Sequence, residues 1–314
     1  MDNNEIHVAV GVISNVDGKI LIAKRPDHLH QGGLWEFPGG KVDEHEDVEM
    51  ALARELNEEL GIRVTGMSPL ITVPHAYADK QVYLDVHIVS GFEGHAHGKE
   101  GQEILWVEQH ELGQYDFPEA NKPILTALTL PDQYLITGKF KDFTECEQKI
   151  RAALNRGIKL IQLREKEMQS QDFIQLTNRL HAITLTNDAL LIVNTSINVY
   201  EQTDADGLHM TGERLRACQH RPVAKDKWFS ASTHTLEEIQ HAANIDADFA
   251  MLSPVLPTNS HPGEPSLGWQ VFSEIVKKVN MPVYALGGMS AEYINTAREN
   301  GAQGIAAITA LWEA

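Results

Sequence analysis

The sequence predicts two domains of different fold class: an α+β domain with a mixed sheet and a central helix over residues 1–130, and an α/β barrel of the TIM-type (β/α)8 class over residues 131–314. The length of 314 residues favours two hydrophobic cores over one. The apolar pattern changes near Leu130, from long alternating segments to short continuous runs separated by helical periodicity. The charge changes at the same place: residues 1–130 hold 9 Lys/Arg and 22 Asp/Glu, and the remainder holds 17 and 22.

Four strands and one helix are predicted in the first domain. The strands cover HVAVGVISN (7–15), KILIAKRP (19–26), QVYLDVHIVSGF (81–92) and ILWVE (104–108). The first two flank Asp17-Gly18, a dipeptide typical of hairpin turns, so we expect them to pair with each other. Apolar residues recur at every fourth position from Val48 to Leu60, which predicts a helix over residues 47–60.

The second domain contains eight short apolar runs. They are QYLIT, IKLIQLR, ALLIVN, GLHM, WFSAS, FAMLSPV, PVYALGG and GIAAIT. Continuous rather than alternating apolar residues indicate strands that are buried on both faces, and the segments between them are mostly helical in pattern. Eight such units predict a closed parallel barrel with a very short last helix, because the sequence ends at LWEA.

Charge and composition restrict the expected partners. A net charge of −18 argues against a polymeric nucleic-acid partner, because phosphate backbones bind basic surfaces. No apolar run is long enough to span a bilayer, and the start MDNNEIHVAVG lacks the features of a signal peptide. The cysteines Cys146 and Cys218 offer neither a disulfide framework nor metal-ligand spacing. We therefore expect a cytoplasmic enzyme that acts on small molecules, with no membrane partner and an oligomeric state that is left open.

The predicted helix carries an unusual concentration of carboxylates. Glu55, Glu58 and Glu59 stand at i, i+3 and i+4 and therefore share one face, where their like charges repel. One interpretation is a solvated acidic face. The other is a site for a hard divalent cation, Mg²⁺ or alternatively Mn²⁺, completed by substrate phosphate oxygens. Arg54 adjoins Glu55 and is placed to orient a carboxylate or to offset charge.

The spacing around this helix identifies a family. Gly40, five residues, Glu46, seven residues, Arg54-Glu55-Leu56, one residue, Glu58-Glu59, one residue and Gly61-Ile62 is similar at every fixed position to the signature of the Nudix hydrolases. The resemblance implies Mg²⁺-dependent hydrolysis of a nucleoside diphosphate that is linked to another group. It also implies that the three glutamates are metal ligands or the general base, that Gly40 is a backbone ligand, and that Arg54 and Glu46 support them. Which glutamate is the base stays open.

Segments outside this signature resemble one Nudix branch, the MutT-type 8-oxo-dGTP diphosphatases. The likeness covers about residues 5–128 and includes IHVAVGVI, LWEFPGGKV, GKEGQE and DFPEANKPIL. It implies removal of an oxidised nucleotide from the pool used in DNA replication, a DNA-repair role. By the same resemblance Glu100 is a further metal or base carboxylate. The residues that it implies for nucleotide binding are Arg25, Phe37, Gly39, Gly40 and Asn121.

Asn121 has a physical rationale for this role. Guanine presents two acceptors, N7 and O6, on one edge, whereas N7 of the 8-oxo base carries a hydrogen. An asparagine amide supplies one acceptor and one donor and so matches the oxidised edge, while normal guanine leaves two acceptors facing each other. The alternatives are a loop or helix cap for Asn121 and core packing for Phe37.

The second domain resembles the thiamine-phosphate synthase/TenI family over about residues 133–312. The likeness is carried by IQLREK (161–166), GLHM (207–210), SASTHT (230–235), SPVLPT (253–258) and ALGGM (285–289). These segments fall at strand ends, where barrel enzymes place their sites. The implied ligand site comprises Arg164, Lys166, Asn194, Ser232, His234, Gly287, Gly288 and Ala306.

The departures from this family limit the expected activity. Thr195 and Arg214 stand where the synthases carry metal-binding aspartates, and His261 stands in place of a lysine. Without those carboxylates Mg²⁺ affinity falls. We therefore expect the barrel to bind a phosphate-bearing, thiamine-pathway ligand without Mg²⁺ and to make little thiamine phosphate. A bifunctional protein with synthase or thiazole tautomerase activity, or a barrel that is only a binding or structural module, stays open.

Overall fold

The computed structural model describes residues 5–28, 31–77, 80–258 and 265–314. The chain divides into two compact units, one of Met1–Thr129 and Lys277–Asn280 and the other of Leu130–Val276 and Met281–Ala314. The first unit contains β1 (Glu5–Ile13), β2 (Ile20–Lys24), β3 (Trp35–Glu36), β4 (Gly39–Lys41), α1 (Val48–Leu60), β5 (Arg63–Ala76), β6 (Gln81–Glu93), β7 (Ile104–Val107) and α2 (Lys122–Thr129).

The strands of the first unit form two sheets. The larger sheet has the order β4-β1-β6-β5, in which β1 is parallel to β6 and antiparallel to β4, while β5 is antiparallel to β6. The smaller, antiparallel sheet has the order β3-β2-β7. The prediction of a mixed sheet with an acidic helix is confirmed.

The predicted pairing of the first two strands is wrong. A turn does form, but it supports one isolated bridge, between Ser14 and Ile20. Beyond it β1 pairs along its whole length with β6, and β2 joins the other sheet. A turn dipeptide determines only the local bend, whereas strand partners are decided by which faces are buried.

Helix α1 is defined by its caps and its apolar face. The Asp47 side chain accepts a hydrogen bond from the Met50 amide at 2.8 Å, and Gly61 ends the helix in the left-handed conformation. Leu52, Leu56 and Leu60 are fully buried. Each buried leucine contributes about 1.5–3 kcal/mol relative to an exposed one. Packing this face against the mixed sheet directs the glutamate face away from the core.

The second unit is a closed parallel barrel, as predicted. Its strands are β8 (Gln133–Ile136), β9 (Leu160–Leu163), β10 (Leu190–Val193), β11 (Gly207–Met210), β12 (Trp228–Thr233), β13 (Phe249–Leu252), β14 (Val283–Leu286) and β15 (Gly304–Ala307). Neighbouring strands pair in sequence order, and β15 pairs with β8 to close the barrel. The helices are α3 (Phe143–Asn155), α4 (Ser170–Leu185), α5 (Ile197–Tyr200), α6 (Gly212–Ala217), α7 (Leu236–Asn244), α8 (Gly268–Val276), α9 (Ile294–Glu299) and α10 (Thr309–Trp312).

Aromatic side chains fill the barrel interior. Tyr134, Phe249 and Tyr284 pack on one another with ring centroids 5.5–5.6 Å apart. The short α10 is fixed by the Trp312 indole, which donates a hydrogen bond to the Lys139 carbonyl at 3.1 Å. In the part of the chain that the structure describes, no helix has both the length and the apolar character to cross a membrane.

Candidate active site

Arg54 organises the carboxylates at the start of the site. Its guanidinium donates to both oxygens of Glu46, at 3.0 and 2.8 Å, and to Glu55 at 2.8 Å. A Glu58 oxygen lies 3.6 Å from the same guanidinium. Hydrogen bonding to Arg54 lowers the pKa of Glu46. The arginine therefore holds Glu46 ionised and positions the carboxylate of Glu55, as a forked guanidinium does better than an ammonium.

Two glycines let β4 lie directly beneath the glutamate face. A Cβ atom on Gly40 would lie 2.2 Å from the Glu55 carboxyl carbon. A Cβ atom on Gly39, whose φ is 149°, would lie 2.1 Å from the Ala9 carbonyl oxygen. The Gly39 amide donates to Glu59 at 3.3 Å. A side chain at position 40 would displace the Glu55 carboxylate, and one at position 39 would clash with the backbone of β1, so both glycines are needed for this close packing.

Glu59 is the most perturbed carboxylate of this face. Burial raises its pKa to about 8, and the nearby charges of Glu36, Glu55 and Glu100 act in the same direction. The Gly39 amide opposes the shift only in part. Ionisation of Glu59 is therefore opposed both by burial and by the neighbouring carboxylates.

Glu100 reaches this region through a loop that is tied to the end of α1. The Lys99 amide and the Gln102 side chain both donate to the Glu59 carbonyl, at 2.9 and 3.1 Å. The Lys99 ammonium donates to the Asn57 carbonyl at 2.8 Å. These bonds satisfy carbonyls that the helix end leaves without partners, and they hold Glu100 next to the glutamate face.

The donor set fits a hard divalent cation. Among residues 5–28, 31–77, 80–258 and 265–314, no three His, Cys, Asp or Glu side chains form a ready cation-binding group. Mg²⁺ does not require one, because it binds through one or two carboxylates, water and substrate phosphates. Burial is the main cause of the raised pKa of Glu59, and the neighbouring carboxylates add to it, so a bound cation would favour the ionised form.

A cleft of about 260 Å³ opens beside the Gly-Gly strand. All five residues that the sequence implies for nucleotide binding line it, namely Arg25, Phe37, Gly39, Gly40 and Asn121. Apolar side chains of β1 and β6 form part of the wall, and they are Ile6, Val8, Val10, Val82 and Leu84. The cleft therefore combines an apolar wall with a few polar groups, the usual composition of a small-molecule site.

Asn121 is the buried polar group of this cleft. It is 8% exposed, and its backbone amide donates to the Pro118 carbonyl at 2.9 Å. Its side-chain amide forms no hydrogen bond with the residues that the structure describes. Phe37 is 3% exposed, and its ring stacks on Phe117 at 5.3 Å, so the ring packs in the core.

The cleft is also lined by five polar side chains that the sequence analysis did not single out: Gln31, Glu36, Lys41, Tyr77 and Lys80. Glu36 forms a close ion pair with Arg25 across β2 and β3. Burial raises the pKa of Glu36 although Arg25 opposes the shift. Glu36 stands inside LWEFPGGKV and could have been considered from that motif. Tyr77 and Lys80 follow β5, a strand that the sequence analysis did not predict.

The barrel mouth contains a chain of hydrogen-bonded polar side chains. Gln162 donates to the Tyr134 hydroxyl at 2.9 Å, and Asn194 donates to Gln162 at 3.1 Å. Arg214, from α6, donates in turn to the Asn194 oxygen. His209 is fully buried between hydroxyls of Ser230 and Ser232, each 2.8 Å from a ring nitrogen.

The remaining predicted barrel residues also surround the carboxyl ends of the strands. Arg164 and Lys166 follow β9, and Ala306 is buried in β15. His234 lies 2.8 Å from the Ser253 carbonyl through Nδ1, which places the ring hydrogen there and leaves Nε2 as an acceptor. Thr195 is half-buried, and His261 lies outside the described residues.

Gly287 and Gly288 follow β14 with φ values of 98° and 69°. Cβ atoms there would lie 2.9 Å from Pro254 and 2.8 Å from Leu256. Both glycines are therefore required by conformation and by close approach of the neighbouring loop.

Comparisons with known proteins agree with this division. A family model described as NUDIX domain matches residues 9–127, and one described as Thiamine monophosphate synthase matches residues 133–311. The chain is 43% identical to an 8-oxo-dGTP diphosphatase of Proteus vulgaris over 32% of this chain and 90% of that protein. It is 31% identical to a thiamine-phosphate synthase of Methanobrevibacter smithii over 58% of this chain and 87% of that protein.

A solved structure resembles the barrel. The thiamine phosphate pyrophosphorylase of Pyrococcus furiosus is 27% identical, covers 63% of this chain and 91% of its own chain, and has a TM-score of 0.50. Fold and family thus define a Nudix hydrolase domain with an acidic helix, joined to a parallel barrel with a polar mouth. The chain belongs to the Nudix family in its N-terminal part and to the thiamine monophosphate synthase family in its C-terminal part.

Proposed function

We propose that the N-terminal domain, residues 1–130, hydrolyses 8-oxo-dGTP to 8-oxo-dGMP and diphosphate. The observation that carries this proposal is Asn121, a largely buried residue that lines a cleft next to the glutamate face and whose side-chain amide has no hydrogen-bond partner among the described residues. A buried amide gains most from a ligand that offers both a donor and an acceptor, as the 8-oxo edge does. Relatives named 8-oxo-dGTP diphosphatase support the same substrate.

The chemistry requires a cation and ordered carboxylates. Glu55, Glu58, Glu59, Glu100 and the Gly40 backbone would hold Mg²⁺, with Mn²⁺ as a substitute. The bound ion supplies neutralisation of phosphate charge and a more acidic water. Hydrolysis breaks the phosphoanhydride bond between the α- and β-phosphates: the oxygen of water bonds to one of these phosphorus atoms, and 8-oxo-dGMP and diphosphate are released.

The protein side chains divide this work. A glutamate of the acidic face accepts the proton of the attacking water, and Arg54 keeps that face ordered through its bonds to Glu46 and Glu55. Arg25, beside Glu36 in the cleft, binds the phosphate or sugar part of the nucleotide. The base lies along the apolar wall with its oxidised edge on Asn121.

The test is a substrate panel with the full chain. Normal and 8-oxo forms of dGTP and GTP are incubated with Mg²⁺, with Mn²⁺ and with chelator, and the products are separated by chromatography. We expect cation-dependent release of 8-oxo-dGMP and diphosphate, and its loss in Glu59→Gln. Release of orthophosphate, or equal turnover of all four nucleotides, would contradict the proposal.

For the second domain, residues 131–314, we propose binding of a phosphate-bearing, thiamine-pathway ligand. The observation that favours it is the Gly287-Gly288 turn after β14, next to the Gly304–Ala307 strand. Backbone amides after the last two strands of such barrels are a recurrent phosphate site. Calorimetry of the full chain with thiazole phosphate and thiamine phosphate, with and without Mg²⁺, tests this. Binding of neither compound would contradict it, and Mg²⁺-dependent synthesis of thiamine phosphate would favour a bifunctional synthase.

A further inference from the structure

Glu100 stands in a loop, residues 97–102, that connects β6 to β7 and follows the last turn of α1. The first half of this loop is anchored through its backbone, because the Lys99 amide donates to the Glu59 carbonyl at 2.9 Å. Glu100 itself is exposed. An exposed carboxylate on a loop keeps a fixed place only where the backbone that carries it is held.

The Gln102 side chain supplies a second anchor, and it uses both ends of its amide. Its Nε2 donates to the Glu59 carbonyl at 3.1 Å, and its Oε1 accepts from the Glu100 amide at 3.0 Å. A carbonyl needs a donor and an N–H needs an acceptor, so the amide satisfies both partners in this orientation alone. One half-buried side chain therefore connects the helix backbone to the backbone of Glu100.

The turn that precedes Gln102 packs closely against it. A Cβ atom on Gly98 would lie 2.1 Å from the Gln102 carbonyl oxygen and 3.0 Å from its Oε1. Gly101 has a φ of 84°, and its amide donates to the Gly98 carbonyl at 3.2 Å. The segment GKEGQ thus folds into a tight turn that brings the Gln102 amide beside Glu100.

The two carboxylates that Gln102 connects influence each other. Burial raises the pKa of Glu59, and the charge of Glu100 acts in the same direction as those of Glu36 and Glu55. Glu59 and Glu100 come from separate segments of the chain, so their proximity depends on how the loop is attached to α1. A divalent cation gains from carboxylates only when they converge on it at short range.

We propose that Gln102 is a positioning residue, which holds Glu100 at the glutamate face and so raises the affinity of this site for a divalent cation. This inference rests on the proposed function of the N-terminal domain, in which Glu100 is a metal or base carboxylate. Gln102 acts through backbone groups of Glu59 and Glu100, and it is not among the described residues that line the cleft. The competing interpretation is a helix-end cap that contributes to stability alone.

The first test needs no cation: hydrogen exchange of the full chain in chelator, followed by mass spectrometry of the peptide that covers residues 97–103. Gln102→Met keeps the size of the side chain and loses both bonds. Gln109→Met is the control, because the Gln109 amide also donates to a backbone carbonyl, that of Leu128 at 2.6 Å. We expect this peptide to exchange at least about tenfold faster in Gln102→Met and at the wild-type rate in Gln109→Met.

The second test is Mn²⁺ binding without nucleotide, measured from the electron paramagnetic resonance signal of the free ion. We expect Gln102→Met to bind Mn²⁺ at least about fivefold more weakly than wild type and Gln109→Met to bind it equally well. Glu100→Gln should also weaken binding. In the double variant, Gln102→Met should add less than about a twofold loss to that of Glu100→Gln, because its effect passes through Glu100.

Circular dichroism checks that each variant is folded, and Gln102→Ala, which also lacks both bonds, replaces Gln102→Met if the methionine variant is not. Three results would overturn the role of Gln102: wild type that binds no Mn²⁺, folded Gln102 variants that bind it as wild type does, or losses that add in full in the double variant. Wild type that shows the expected Mn²⁺ pattern but hydrolyses no nucleotide would instead overturn the proposed function and leave the positioning of Glu100 intact.

Discussion

Glu59 is the carboxylate of the candidate site whose ionisation is most strongly opposed by its surroundings. Its carboxyl is poorly solvated, receives one hydrogen bond from Gly39, and lies near the charges of Glu36, Glu55 and Glu100. A structural carboxylate in this position would be replaced at little cost by a neutral side chain. A carboxylate that binds a cation and substrate instead uses the raised pKa as part of its chemistry.

The raised pKa of Glu59 predicts how the stability of the fold depends on pH when no cation is present. Burial raises the pKa of Glu59 from 4.5 to about 8 on folding, so folding favours the protonated carboxyl. The stability that this group contributes is fully present below pH 4.5 and is lost as pH rises through 8. In chelator, we expect wild type to lose more thermal stability than Glu59→Gln between about pH 5 and about pH 9.

Glu58→Gln is the matched control for this experiment, because Glu58 is an exposed neighbour on the same helix. Its pH dependence should follow wild type. Added Mg²⁺ should stabilise wild type more at high pH than at low pH, because the ion binds the ionised carboxylates. Equal slopes for wild type and Glu59→Gln would show that this carboxyl ionises freely in the folded protein.

Catalysis gives a second prediction at the residue scale. Glu58→Gln and Glu59→Gln should each lower turnover by at least about a hundredfold, the scale of losing a metal ligand or an acid/base group. Folding should be retained, because either change removes a like charge from the helix. The measurement is the turnover rate at saturating Mg²⁺ with circular dichroism as the folding check. Near-normal rates in both variants would show that the glutamate face is only a solvated surface.

At the scale of elements, the contact between β4 and α1 determines the geometry of the site. Gly40→Ala would add a methyl group 2.2 Å from the Glu55 carboxyl carbon, so the carboxylate must move. We expect turnover to fall by at least about tenfold, because small displacements of catalytic groups are costly. Gly113→Ala is the control, since its Cβ meets no atom within 4 Å. Unchanged turnover in Gly40→Ala would mean that the position of Glu55 does not matter.

The helices and strands differ in how well the sequence alone predicts them. Helix α1 was predicted nearly to the residue, because its Asp47 cap, its apolar spacing and Gly61 are local signals. Strand β5 was missed because Gly66, Pro69 and Pro74 interrupt its pattern. The structure absorbs the first two at irregularities in the β5–β6 register. The smaller sheet was missed because its strand pairs join distant segments.

The candidate site was predictable to a similar extent. The glutamate face and Arg54 follow from helical spacing, whereas Arg25, Phe37 and Asn121 were assigned only through family resemblance. The structure brings those three to one cleft. Their proximity depends on three separate segments of the chain, and no local pattern encodes it. The contacts of Arg214 with Asn194 and Thr211 were likewise invisible before folding placed α6 at the mouth.

At the scale of the whole molecule, the chain joins two units that each have a core. The apolar clusters around α1 and the mixed sheet share no residue with the cluster inside the barrel. For the first unit, we propose that the cleft distinguishes an oxidised guanine nucleotide from the normal one through Asn121.

The most direct test is the ratio of kcat/KM for 8-oxo-dGTP to kcat/KM for dGTP, measured with Mg²⁺ on the full chain and on Asn121→Ala. The control is Asn198→Ala, an exposed asparagine of the barrel. We expect wild type and the control to prefer 8-oxo-dGTP. Asn121→Ala should lose about 2 kcal/mol of that preference, near thirtyfold, chiefly through slower use of the oxidised nucleotide. A ratio that is the same in wild type and Asn121→Ala would contradict the account.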